Sequence, residues 1–263
     1  MGKEERSTYT IKMDANLGEV KIADEVVAII NEKYDGKIPT VEDIQNVVEK
    51  ELIEKYGFQA DNLHTDLHEC LGHGSGKLLP GVSQDALRAY GATIEEARAD
   101  LFGLYYAADE KMVELGLLPN EDAYKAEYYK YMMNGLMTQL TRIELGNNIE
   151  EYHMRKRQLI ARWVFEKGEK DKIVEIKERD GKSFVVINDY KKMRDLIGNL
   201  LAEIQRIKSE GDFEAAKELV EKYAVKVDQN LHKEIKDRYA RLNLASYKGF
   251  VNPVKCFVIA VKG

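Results

Sequence analysis

Cysteine is scarce in this 263-residue chain. Cys70 and Cys256 are its only two, so no disulfide framework is implied. Proline is scarce too: four residues leave long Ala-, Leu-, Glu- and Lys-rich stretches unbroken, which favours helices. No apolar run approaches the roughly 18 residues of a membrane span, so no membrane role is expected. An excess of positive charge is also missing. Lys and Arg number 40 against 46 Asp and Glu, a formal net charge of −6 with no basic stripe to offset it, and this argues against nucleic acid as a partner. Met1–Arg6 has no signal-peptide character, so a cytoplasmic protein is expected. Neither an internal repeat nor a low-complexity linker is visible.

What remains is helical pattern. Apolar periodicity predicts helices near 42–56, 62–73, 94–116, 121–146, 149–168, 190–210, 212–225 and 229–243. One β signal interrupts them. Residues 172–177 and 183–188 alternate as strands around Arg179-Asp180-Gly181-Lys182, a hairpin with Asp-Gly at its turn. Short strands near 7–13 and 18–22 open the chain. The fold expected is mainly α, a zincin-like helical lobe with one β-hairpin near 172–188 and a small N-terminal α+β segment.

The chemistry concentrates in His68-Glu69-Cys70-Leu71-Gly72-His73. Zinc peptidases commonly carry H-E-x-x-H on one helix face, with both histidines on the metal. Here the second histidine comes one residue late. At about 100° per residue an α-helix would turn it roughly 140° away from the first. A one-residue π-bulge restores the convergence, and such bulges gather at functional sites. Gly72 makes that distortion cheap because it carries no side chain. Two stray histidines are the bland reading. Cys70 fills an unspecified position and reads as a small buried residue. Gly72-His73-Gly74-Ser75-Gly76-Lys77 lacks the spacing and the Ser or Thr of a phosphate loop, so its glycines read as a helix end.

A catalytic zinc takes three protein ligands and leaves one position to water. Thr93-Ile94-Glu95-Glu96-Ala97-Arg98-Ala99-Asp100 opens a helical run downstream. Thr93 and Glu96 fit a capping box. Alternatively Glu96 turns to the metal, and Asp100, one turn later, accepts the free N–H of a ligand imidazole. Glu96 cannot do both; ligation is the reading adopted, with Thr93 as the cap.

HECLGHGSGKL followed by EEARAD resembles the paired motifs of the dipeptidyl peptidase III family, zinc exopeptidases that release dipeptides from peptide N-termini. The resemblance covers roughly residues 57–263, including Lys208–Phe213 and the closing Tyr247–Pro253. It implies Zn²⁺ on His68, His73 and Glu96, with Glu69 as general base and Asp100 supporting a ligand histidine. It also implies that His153 and Arg157 face the substrate. Their i, i+4 spacing alone reads as a solvated helix face.

Residues 1–56 do not resemble that family and are divided from 57–263 as a segment of uncertain origin. Within 22–56, Gly36–Gln45 and Val47–Ile53 resemble the second half of an ATP-cone. The cone's basic first half has no counterpart in Met1–Lys21, so a helical appendage, or a chain joined from unrelated pieces, is preferred to nucleotide binding. The family places its substrate-gripping lobe before the zinc motif, and only 67 residues precede His68 here. Two functions therefore follow: a zinc-dependent dipeptidyl peptidase, or an isolated zinc-binding lobe acting as an inactive or peptide-binding module. Short peptides are the expected partners, with a partner lobe or a second copy of the chain as further candidates.

Overall fold

The computed structural model describes residues 10–12, 19–21 and 41–242. Cys256, the closing 247–253 segment and residues 22–40 of the ATP-cone-like stretch lie outside them. Two short strands, β1 (Thr10–Lys12) and β2 (Glu19–Lys21), pair antiparallel with Ile11 opposite Val20.

The helices follow in chain order: α1 (Val41–Leu67), α2 (Gly91–Ala107), α3 (Glu110–Glu114), α4 (Tyr124–Leu136), α5 (Tyr152–Gly168), α6 (Tyr190–Glu210), α7 (Phe213–Val220) and α8 (Gln229–Arg241). Between α5 and α6 lies the hairpin β3 (Val174–Arg179) and β4 (Lys182–Ile187). Its ladder runs to Arg179 opposite Lys182, closer to the turn than the sequence pattern suggests. Asp180 and Gly181 alone form the turn, at φ 50° and 67°, the pair of positive values that a type I′ turn demands.

Helix α2 lies at the centre, packed against α1, α5 and α6. Ile94, Ala97, Ala99, Leu101 and Leu104 are fully buried, as befits a helix enclosed on every side. Each such Leu or Ile contributes roughly 1.5–3 kcal/mol. Helix α6 shows one apolar stripe instead: Met193, Ile197, Leu200, Ile204 and Ile207 face inward at alternating four- and three-residue steps. Asp189 caps its start by accepting from the Lys192 N–H. Gly211 ends it in the left-handed region at φ 66°.

Several boundaries differ from the sequence pattern. The helices expected at 42–56 and 62–73 are one, because nothing at Gly57 interrupts the ladder; residues 56 and 57, where the sequence reading divides the chain, lie inside α1. The helix expected over 94–116 breaks at Asp109, whose side chain accepts from Lys111 N–H and starts α3 afresh. The one expected over 121–146 ends at Leu136. Beyond it a 3₁₀ turn, Thr138–Arg142, is held by His232 of α8, whose Nε2 lies 3.0 and 3.1 Å from the Leu140 and Ile143 carbonyls. Thr93 is not a cap: α2 begins at Gly91 after a 3₁₀ turn at Arg88–Tyr90, and Thr93 is buried inside the helix.

Candidate metal centre

Helix α1 does not stop at Leu67. It widens into a π-helical turn, His68–His73, the deformation that the i, i+5 spacing requires. The two imidazoles meet edge to face with centroids 4.7 Å apart. Gly72 has a sharper reason to be glycine than cheap distortion. A Cβ there would lie 2.6 Å from Ala99 Cα, so the turn sits directly on the α2 backbone.

That contact brings α2 under the histidines. Glu96 reaches up between them, with Oε2 3.7 Å from His68 Nε2 and Oε1 3.7 Å from His73 Nε2. One donor atom from each of His68, His73 and Glu96 lies within 4.8 Å of the others, the one such group among the described residues. Tetrahedral zinc with bonds of about 2.0–2.1 Å wants donor separations of about 3.3 Å. Small side-chain rotations close the difference, and the His₂Glu donor set suits Zn²⁺. Glu96 is thus placed for ligation, not for capping.

Each histidine is oriented from behind. His68 Nδ1 donates to Asp100 Oδ1 at 2.7 Å, and His73 Nδ1 donates to Glu95 Oε1 at 2.9 Å. An ionised carboxylate only accepts, so both Nε2 lone pairs point towards Glu96. Burial alone would raise the Asp100 carboxyl. The His68 hydrogen bond, the charges of His64 and Lys156 and the Tyr131 hydroxyl outweigh it and hold Asp100 well below the usual carboxylate range. For Glu95, hydrogen bonds from Arg98, Lys208 and His73 overcome its burial and pull it down to about 2.

Arg98 is fully buried and binds the end of the π-turn to α2. Its Nη2 donates to the Gly72 and Ser75 carbonyls at 2.7 and 2.9 Å and to Glu95 at 2.8 Å. One guanidinium thus adds to the bonds the Gly72 carbonyl accepts from the turn's own N–H groups, ties down the Ser75 carbonyl and fixes the acceptor of His73.

The histidines border a cleft of about 380 Å³ between α1, α4 and α5. Glu69 lines it and is exposed, one residue from His68. His153 enters from the start of α5 with Nδ1 3.3 Å from Glu96 Oε2, and Arg157 lines the same wall one turn on. All the residues expected at the site are therefore brought to one cleft. Cys70 is exposed, not buried; it is Gly72 of the same turn that meets α2. A larger cleft of about 720 Å³ opens near Tyr124 and Tyr190, and no histidine lines it.

Four contributors were not singled out from sequence: Glu95, Lys156, His64 and Tyr131. Two of them leave a trace. Stepping back by fours from the buried Val164 and Ile160 lands on Lys156, a cation on an apolar face. His64 lies one helical turn before His68, and its Nδ1 donates to Glu127 Oε1, 2.8 Å away. Tyr131 donates to Asp100 Oδ2 at 2.6 Å, and no local pattern marks it.

A sequence profile of Peptidase family M49 matches residues 82–242, which takes in Glu96, Asp100, His153 and Arg157 but begins after His73. Two solved structures share the fold. DPP III from Caldithrix abyssi is 21% identical with a TM-score of 0.54, covering 88% of this chain and 42% of that one. Dipeptidyl-peptidase III from Corallococcus sp. strain EGB is 20% identical with a TM-score of 0.54, covering 89% of this chain and 41% of that one. The chain thus spans less than half the length of the structures it matches.

Proposed function

Because the chain belongs to Peptidase family M49, we propose that it is a zinc-dependent metallopeptidase of dipeptidyl peptidase III type, releasing dipeptides from the N-termini of short peptides. The observation that carries this reading is the convergence of His68, His73 and Glu96 beside Glu69 at the mouth of one cleft. Zinc held by those three residues would supply a polarised water with a pKa near 7 and a Lewis acid for the scissile carbonyl.

The remaining work falls to this chain's own groups. Glu69 takes the proton from the attacking water and passes it to the leaving amine. Its exposure at the cleft rim leaves its carboxylate open to both. His153 donates to the oxyanion that forms as the carbonyl is attacked, and Arg157 grips the peptide backbone through its guanidinium fork. Asp100 and Glu95 stay ionised and keep the ligand histidines in the donating tautomer at Nδ1.

A second reading stands beside it. The matched region is 42% and 41% of the solved structures, and the alternative is a zinc-holding lobe that binds peptide without cutting it, or docks to a partner lobe or a second copy. A cytoplasmic location is proposed with either; no helix among the described residues is long and apolar enough to cross a membrane.

One experiment separates the two: zinc content by atomic absorption together with dipeptide release, for the wild type and Glu69→Gln. One zinc per chain in both proteins, with release only in the wild type, supports the peptidase. Zinc without release in either supports the binding lobe. Far less than one zinc per chain overturns both.

A further inference from the structure

Lys156 is a buried cation at the centre of this site, its side chain only 7% exposed. Its Nζ donates to Glu96 Oε2 at 2.9 Å and to Asp100 Oδ1 at 3.1 Å. It therefore joins the carboxylate facing both histidines to the carboxylate that orients His68. A lysine seldom takes such a place without paired anions, and here it has two.

The two oxygens of Glu96 are used unequally. Oε2 receives Lys156 at 2.9 Å and has His153 Nδ1 at 3.3 Å. Oε1 faces His73 Nε2 at 3.7 Å, and no hydrogen bond to it is formed among the described residues. A carboxylate oxygen offers two lone-pair directions. Lys156 takes one of these on Oε2, which also stands 3.7 Å from His68 Nε2, whereas neither on Oε1 is taken among the described residues, so Oε1 is the freer oxygen on the histidines' side.

We propose that Lys156 is a positioning residue that confines Glu96 to one-oxygen coordination of the metal. Resting on the metal reading above, this goes beyond it by giving a role to a residue outside the ligand set. Glu96 bound through both oxygens would add a fifth donor beside the two imidazoles, its own first oxygen and water, raising the coordination number above four. Bound through Oε1 alone, it keeps the ion four-coordinate with one open place. The hydrogen bond from Lys156 also draws charge out of Glu96, leaving a more electron-poor metal.

Cobalt(II) in place of zinc reads coordination number directly, because its visible absorption is intense when four-coordinate and weak when the number rises. The comparison uses wild type, Lys156→Met and His68→Ala, each titrated with Co²⁺ to one equivalent, with folding followed by circular dichroism. Wild type is expected to give an intense band and Lys156→Met a severalfold weaker one at equal bound cobalt. A general loss of packing would lower stability without moving the band. Equal band intensity in wild type and Lys156→Met, both loaded, overturns the proposal. Should wild type bind no more cobalt than His68→Ala, the metal reading itself fails and Lys156 falls with it. If Lys156→Met does not fold, Lys156→Gln keeps a polar terminus in the slot without charge. It is expected to weaken the band in the same direction, and an unchanged band overturns the proposal equally.

Discussion

Gly72 rests on the backbone of Ala99, so close that a methyl group on Gly72 would stand 2.6 Å from Ala99 Cα and 2.7 Å from its Cβ. This contact decides whether Glu96, three residues before Ala99, reaches the histidines on either side of Gly72. Gly72→Ala is expected to push the π-turn off α2, costing about 1–3 kcal/mol as overpacking does. Urea unfolding monitored by circular dichroism would register it. Zinc retention should fall with it; wild-type stability and zinc content in Gly72→Ala would contradict the packing argument.

Arg98→Met removes the donor to the Gly72 and Ser75 carbonyls and one of the cations holding Glu95. The lost bond to the Ser75 carbonyl, the weakened hold on Gly72 and a loosened Glu95 together cost about 1–3 kcal/mol. Since Glu95 orients His73, zinc affinity should drop about 10- to 100-fold, read by competition with a chromophoric chelator.

Asp100→Asn replaces an ionised acceptor with an amide that offers His68 Nδ1 a weaker partner. An affinity loss of about 10- to 100-fold is expected, with the fold intact by circular dichroism. No change in chelator competition would mean that Asp100 does not support the ligand.

His64 carries a pH dependence. Its burial opposes the charged imidazole, but the hydrogen bond to Glu127 and the charges of Asp100 and Glu127 outweigh it, and the pKa is raised. A raised folded-state pKa stabilises fully below the unfolded value of about 6.5, and that contribution fades as pH climbs through the folded value. Urea unfolding of wild type and His64→Gln, with chelator present, should therefore show a stability gap that is widest near pH 6 and narrows towards pH 9, both roughly placed. A gap that widens with pH would exclude this account.

His153→Ala and Arg157→Ala test the cleft wall with zinc content unchanged. Loss of the oxyanion donor should lower kcat about 10²- to 10³-fold. Loss of the backbone grip should act mainly on KM. Equal effects on both parameters in both variants would place neither residue at the substrate.

Much of the centre was legible because its decisive spacings are local. His68 and His73 lie on one element, so five residues of separation alone demand the widened helix. Thr93 misled because a capping box is also local, while the true start of α2 is set by the 3₁₀ turn at Arg88–Tyr90. Cys70 misled because burial depends on which face of the turn meets α2. The break at Asp109 left its mark in a capping side chain. The 3₁₀ turn after Leu136 left none, since His232 reaches it from α8.

By itself, the sequence determined the helical class, the hairpin with its Asp180-Gly181 turn, and the histidine pair whose spacing demands a widened helix. Each follows from periodicity, turn chemistry or donor type within a few residues. Only the tertiary structure decided that Glu95 rather than solvent orients His73, that Lys156 holds Glu96, and that Gly72 is glycine to let α2 approach. Those pairings join residues 22, 60 and 27 positions apart, across helices whose relative placement is set by how their buried faces pack. No spacing along one helix encodes that.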